Sequence, residues 1–466
     1  FSQVQTVKTI PSHFSAVRTV SSEDIGRIFG RETDAPLGQF FRIGQLRDTD
    51  APVNLDLRRM LERSIGVFGK TGTGKTFLTR LLLAGIVNWT RQRSSDKVVL
   101  LVFDMHNEYG WKALDKESHG TQREVKGLAQ LFGTSRVAIF TLDGPREKRK
   151  PFRSYIKGDV TIPFSSITAS DIALLQEELA LTEQGVNTAF LLEGQLGDQW
   201  LQKLLSIETD EELKALAADG RYHLQALAAL HRKLRILKQF SFLTNDSKKD
   251  SVKEIMAGLC NGIHTVIEFG RHSSPLAYLL VANVLTRKIH EAYVQMTEDF
   301  LLSGDPSREP YQLVLVVEEA HKFLDPRVAS QTIFGTIARE MRKYYVTLLI
   351  VDQRPSQIEP EVLSQIGTKF ICQLTDERDI QSVLAGIPGG SGLRSVLASL
   401  ESRRQALIVG HGVPMSVLIA VRPYNSEFYD WLDQCRPLAL NSGDGAEAVD
   451  ISRRLEALWD ERYGAQ

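Results

Sequence analysis

Eight residues constrain this chain more than any others. Gly69-Lys70-Thr71-Gly72-Thr73-Gly74-Lys75-Thr76 spells G-x-x-x-x-G-K-T, a phosphate-binding P-loop that belongs between a strand and a helix. Both flanks agree: Ser64-Ile65-Gly66-Val67-Phe68 is apolar, and the stretch from Phe77 to Val87 has helical character. The glycines let consecutive backbone N–H groups turn inward around a β-phosphate. Lys75 can then reach β- and γ-oxygens, and the Thr76 hydroxyl can ligate Mg²⁺. The expected ligands are therefore ATP and Mg²⁺, held at Gly69, Thr71, Gly72, Thr73, Gly74, Lys75 and Thr76, with Phe77 opening the helix behind them.

The rest of the chain has the texture such a loop requires. Val98–Phe103, Arg136–Phe140, Thr265–Phe269, Leu313–Val317, Val346–Val351 and Phe370–Leu374 read as strands alternating with helices, one of which spans Pro275 to about Gln295. Runs apolar on both faces indicate a mainly parallel sheet covered on both sides, an α/β core. Ala406–Gly410 and Met415–Val421, separated by a Gly/Pro turn, read as an antiparallel hairpin. Leucines at helical spacing (Leu174, Leu175, Leu179, Leu181; Leu224, Leu227, Leu230, Leu234, Leu237) mark an α-helical insertion. The expected partition is a β-rich segment over 1–57, a first core part over 58–169, the insertion over 170–262, a second core part over 263–435 and a tail over 436–466. Within the first segment, Val17–Val20 and Gln39–Gly44 look β-like. The tail carries a charged amphipathic helix from Ala446 to Tyr463.

Composition removes some classes of function. A chain of 466 residues, 42% hydrophobic and 24% charged, suits a soluble protein of two or three units. No apolar run reaches membrane-spanning length, so no membrane association is expected. Cys260, Cys372 and Cys435 are scattered and read as reduced thiols of a cytoplasmic protein. The chain opens on Phe1 rather than Met, which reads as a fragment or a processed chain. A net charge of −1 excludes a uniformly basic coat for nucleic acid, but not a ring whose pore alone is positive.

Hydrolysis needs acids at the end of a neighbouring strand, one carboxylate for the Mg²⁺ shell and one to orient or deprotonate water. Leu313–Val317 runs into Glu318 and Glu319, assigned to the metal and to the water respectively; two acids ending an apolar strand are also a common junction. The surrounding Glu-Ala-His-Lys-Phe lacks the spacing of a zinc protease. Gln353, after the next strand, can touch a γ-phosphate and report its loss, or simply cap the strand. Arg339 and Arg342 end a helix; either can satisfy its C-terminus or serve in a ring as a finger toward the next subunit's γ-phosphate. Asp104 stands where ligands gather in open α/β sheets and suits a role behind the metal's direct ligands, while Glu108 reads as a helix-start charge. Arg146, Lys148, Arg149, Lys150, Arg153 and Lys157 form a basic cluster that is either a solvated loop or a grip on phosphates.

Taken together these residues resemble the HerA family, within the HerA/FtsK group of ring-shaped DNA-translocating ATPases. The resemblance rests on Gly69–Thr76, Phe103–Tyr109, Glu318–Phe323, Arg339–Tyr344, Gln353–Ile358 and Leu363–Thr368, in the family's order over roughly residues 35 to 425. It implies a RecA-like core, a homohexamer and ATP hydrolysis at subunit interfaces, with Glu319, Lys75, Gln353, Arg339 and Arg342 as the catalytic set. It also implies double-stranded DNA drawn through the pore and a partner nuclease or other effector in DNA processing or defence against phage. Residues 1–57 would then be the remnant of an N-terminal β-barrel. One departure is Glu318-Glu319 where the family usually has Asp-Glu, which shifts the metal geometry. The alternative of a different class is a nucleotide-loaded ring that scaffolds or regulates an effector with little translocation. A transfer ATPase of conjugation systems shares the core motifs.

Overall fold

The structure is a computed structural model. It describes residues 20–435 apart from 35–36, 93–95, 116–122, 144–154, 219, 273, 328, 330–331, 341–342, 388–389, 399 and 401–403. Among the described residues the chain forms two compact units, one within 20–97, 319–321 and 347–435, the other within 98–318 and 322–346.

In the first unit the P-loop strand Ser64–Phe68 lies between Ile366–Ile371 and Val346–Asp352, parallel to both. Its residues are all buried, as expected of a strand covered on both faces. The register aligns Phe68 with Asp352 on one side and with Ile371 on the other. All three strands therefore end at one level, where the phosphate loop begins. Outward from Ile366–Ile371 the sheet turns antiparallel through Gln405–Gly410 and Val417–Val421, the expected hairpin. Phe40–Leu46 pairs antiparallel with Val417–Val421, and Pro52–Asp56 pairs antiparallel with Phe40–Leu46 at the edge. Ser22–Phe29 is a helix rather than part of a β-like run, started by a capping box between Ser21 and Asp24. Val17–Thr19 lie outside the described residues.

In the second unit five parallel strands follow the order Gln312–Glu318, Val98–Asp104, His264–Glu268, Val137–Thr141 and Ile156–Asp159. Every residue of Val98–Asp104 is buried. The residues read as an insertion fold into short helices, among them Ala169–Leu174, Glu183–Leu196, Leu224–Leu234 and Ser251–Cys260. A two-residue strand, Leu243–Thr244, pairs with Ile162–Pro163 between them. The long helix Pro275–Ser303 outruns its expected end at Gln295 and stops at left-handed Gly304. Buried charges fix the short helices against it. Asp171 accepts from Arg287 at 2.8 Å and from Asn283 at 2.6 Å, and Lys288 meets Asp250 at 2.6 Å. Such pairs add little net stability but penalise any other packing, because each partner would be left charged and buried. The tail over 436–466 and the basic cluster apart from Lys157 lie outside the described residues.

Candidate functional site

The P-loop is built by backbone contacts at the end of its strand. Gly69 N–H donates to the Asp352 carbonyl at 3.3 Å and Lys70 N–H to the Gln373 carbonyl at 3.1 Å, so both neighbouring strands hold the loop's first residues. A side chain at Gly69 would place its Cβ 2.7 Å from the Cβ of Cys372, closer than packing allows. Burial pushes that thiol up to about 12, so it stays an inert filler under the loop. Gly72 and Gly74 take φ of +79° and +92°, open to glycine at no steric cost. Thr73 Oγ1 donates to the Lys70 carbonyl at 2.7 Å, and Lys75 Nζ donates to the same oxygen at 2.9 Å. Thr76 and Phe77 lie half-buried in the first turn of the helix Lys75–Gln92, and the Arg80 guanidinium sits 5.1 Å above the Phe77 ring.

Three of the residues singled out in the sequence meet in this unit. The Thr71 hydroxyl hydrogen-bonds to Gln353 Oε1, and Gln353 Nε2 donates to Glu319 Oε1 at 2.8 Å. The amide thus spans the phosphate loop and one acid of the Glu-Glu pair. Glu319 has φ of +49°, a left-handed conformation unusual for a residue with a side chain. The turn it makes directs His321 N–H to Asp352 Oδ2 at 2.8 Å, with His321 Nδ1 2.9 Å from that oxygen and 3.7 Å from Glu319.

Glu318 and Asp104 belong to the other unit, and there they share a different setting. Glu318 Oε1 accepts from the Tyr109 hydroxyl at 2.7 Å. The Tyr278 hydroxyl donates to the Glu318 carbonyl at 2.8 Å and accepts its N–H at 3.1 Å. Burial, then the Glu318 carboxylate, holds the Tyr109 phenol well above its ordinary range, so it remains a donor. Asp104 accepts from the backbone N–H groups of Glu108, Tyr109 and Gly110 at 2.7, 2.7 and 3.2 Å. Burial raises its carboxyl to about 6 against the opposing pull of those three donors. Asp104 therefore organises the loop that delivers Tyr109. Arg339 is exposed at the end of the helix Ile333–Glu340, and Arg342 lies outside the described residues.

Sequence reasoning did not single out Tyr109, Tyr278, His321 or Asp352. Tyr109, His321 and Asp352 stand inside or beside the motifs already picked out; Tyr278 carried no local signal. Its contact with Glu318 spans 40 residues and that of Tyr109 spans 209.

A P-loop ending a central parallel strand, with Asp352 and the Gln353 amide at the end of a neighbouring strand and Glu319 bonded to that amide, defines a P-loop ATPase with a RecA-like core. Residues 41–289, more than half of the chain, match the family described as helicase HerA, central domain. The chain belongs to that family. It is 23% identical over 399 residues to the DNA double-strand break repair helicase HerA of Pyrococcus furiosus, covering 80% of this chain and 67% of that one. To the helicase of the same name from Sulfurisphaera tokodaii it is 23% identical over 414 residues, covering 88% and 73%. Among solved structures, the bacterial conjugative coupling protein TrwBdeltaN70 superposes with a TM-score of 0.52 at 13% identity, over 86% of this chain and 92% of that one. That likeness is one of fold alone. Among the described residues no helix is long and apolar enough to cross a membrane.

Proposed function

We propose that this chain is the subunit of a homohexameric motor that hydrolyses ATP at subunit interfaces to move double-stranded DNA, working with a nuclease or other effector. The observation that carries the reading is the hydrogen-bonded series Thr71–Gln353–Glu319. It joins the phosphate loop to the acid assigned to water through a side chain able to exchange either partner for a γ-phosphate. Glu319 takes the proton of the attacking water, Lys75 neutralises charge on the β- and γ-oxygens, and Gln353 reports the γ-phosphate. Arg339 or Arg342 stabilises transition-state charge on a neighbouring subunit's nucleotide. The DNA substrate is proposed on the strength of the HerA relatives, both named as DNA double-strand break repair helicases.

Mg²⁺ is the metal that suits the residues assigned to it. Thr76 and Glu318 offer only hard oxygen donors, and the described residues contain no cluster of three or more His, Cys, Asp or Glu that could cage an ion. Mg²⁺ typically relies on one or two protein oxygens, nucleotide phosphates and water rather than on such a cage. When bound it would neutralise charge between the β- and γ-phosphates.

The test is ATP turnover with and without linear duplex DNA, together with the mass of the assembly. Stimulation by duplex in a six-subunit ring, abolished by Lys75→Ala, is the expected result. Turnover indifferent to DNA, or carried by a monomer, overturns the motor.

A further inference from the structure

Resting on the assignment of Glu318 to Mg²⁺, we infer that Tyr109 is a positioning residue for that carboxylate and sets how strongly nucleotide binding depends on magnesium. The phenol donates to Glu318 Oε1 at 2.7 Å, and both side chains are buried, Tyr109 at 0% and Glu318 at 7% exposure. A free glutamate has three side-chain torsions to settle, one more than the aspartate usual at this place in the family. A buried donor on one oxygen removes much of that freedom.

Two further features serve the same end. Tyr278 fixes the main chain of Glu318 by bonding to both its N–H and its C=O, so the carboxylate is held at its tip by one phenol and at its root by another. Asp104 in turn holds the Tyr109 and Gly110 backbone N–H groups at 2.7 and 3.2 Å. The series Asp104–Tyr109–Glu318 thus acts toward a metal through its last member only, in the way outer partners orient metal ligands.

The experiment uses the full chain, a fluorescent ATP analogue, and Mg²⁺ titrations of Tyr109→Phe, Glu318→Gln and the double variant, each with its melting temperature. Tyr109→Phe is expected to raise the Mg²⁺ concentration needed for half-maximal tightening of the nucleotide by about tenfold. Affinity in EDTA should not change, and the double variant should behave as Glu318→Gln alone. If Glu318→Gln shifts the Mg²⁺ dependence and Tyr109→Phe does not, the positioning role is overturned while the metal assignment stands. If Glu318→Gln shifts nothing, the metal assignment itself fails. Should Tyr109→Phe melt early, 3,5-difluorotyrosine at position 109 keeps the ring and strengthens the donor. It is then expected to lower the Mg²⁺ requirement, and an unchanged requirement counts against the inference.

Discussion

Glu318 and Glu319 are neighbours in sequence and opposites in surroundings. Glu318 completes a regular strand, with its carboxylate against one buried phenol and its main chain against another. Glu319 turns out of the strand at φ +49°, with 22% of its side chain exposed. Its bond partner is an amide that also touches the phosphate loop. A carboxylate meant to hold still is served by apolar burial and a donor that titrates only far above neutral pH. One meant to meet water and respond to nucleotide is better served by a partner with both donor and acceptor, which can let go without leaving a buried charge bare. On the roles proposed for them, the difference divides a fixed acid from a switched one.

The sharpest way to break that division is to neutralise the switched acid. Glu319→Gln is expected to lower ATP turnover by about 10²- to 10⁴-fold, the usual worth of a general base, while nucleotide binding survives. Gln353→Glu, placing a like charge against Glu319, should cost more turnover than Gln353→Ala. The alanine variant adds no charge and loses the bonds to Glu319 and Thr71, about tenfold for a bond to a charged group. Steady-state turnover beside nucleotide affinity measures both. If Gln353→Ala and Gln353→Glu are equally active, Glu319 is not governed by that amide.

A smaller effect concerns the compact unit that contains Glu318. His264 accepts the Leu100 N–H on Nδ1 at 3.1 Å, and burial, then the Arg136 charge, lowers the imidazole to about 3. Its unfolded form takes a proton near pH 6.5, so the stability it contributes is complete above that pH and is lost as the pH falls toward 3. Asp104 works in the opposite sense. Its folded carboxyl, raised to about 6, binds a proton before the unfolded one does near 3.8, so acidification between these values favours the fold. The two nearly cancel from pH 6 to 4 in the native chain. His264→Gln keeps an acceptor and removes the titration. Relative to the parent it should gain about 1.4 kcal/mol per pH unit below 6.5, read by denaturant unfolding at several pH values. A difference that does not vary with pH would mean the ring is not held neutral.

What could be read in the chain beforehand follows from the range of the forces involved. The P-loop, its strand and its helix are local, so Gly69–Thr76 announced itself, and the strands that end beside it were visible as apolar runs. The α/β class followed from those runs. The helix Ser22–Phe29 escaped because its signal is a capping box, Ser21 with Asp24, just behind the β-branched Val17-Arg18-Thr19-Val20. The end of Pro275–Ser303 escaped because the helix runs on past Gln295 to a glycine cap at Gly304. Gln353 was visible as a candidate, yet its bond to Thr71 spans 282 residues. Tyr109 stood inside a quoted motif with no feature of its own to show that its hydroxyl would find Glu318. Side-chain pairing across folded elements is set by register and helix placement, which no local pattern encodes.

The smallest expected effect probes the backbone on which the division rests. A residue with a Cβ in the left-handed region costs about 1 kcal/mol or more, and Glu319 bears that cost at φ +49°. The turn is what brings His321 N–H to Asp352, so the strain persists because the strand end is tied down beyond it. Glu319→Gly relieves the strain and forfeits the bond from Gln353, two contributions of about 1 kcal/mol with opposite signs. Its unfolding free energy should therefore stay within about 1 kcal/mol of the parent, while turnover is lost. Glu318→Gly has no strain to release. It strands the buried Tyr109 hydroxyl and should cost about 2 kcal/mol or more. If Glu319→Gly instead costs more than about 1 kcal/mol, the left-handed turn stores no energy, and the two acids differ in their partners alone.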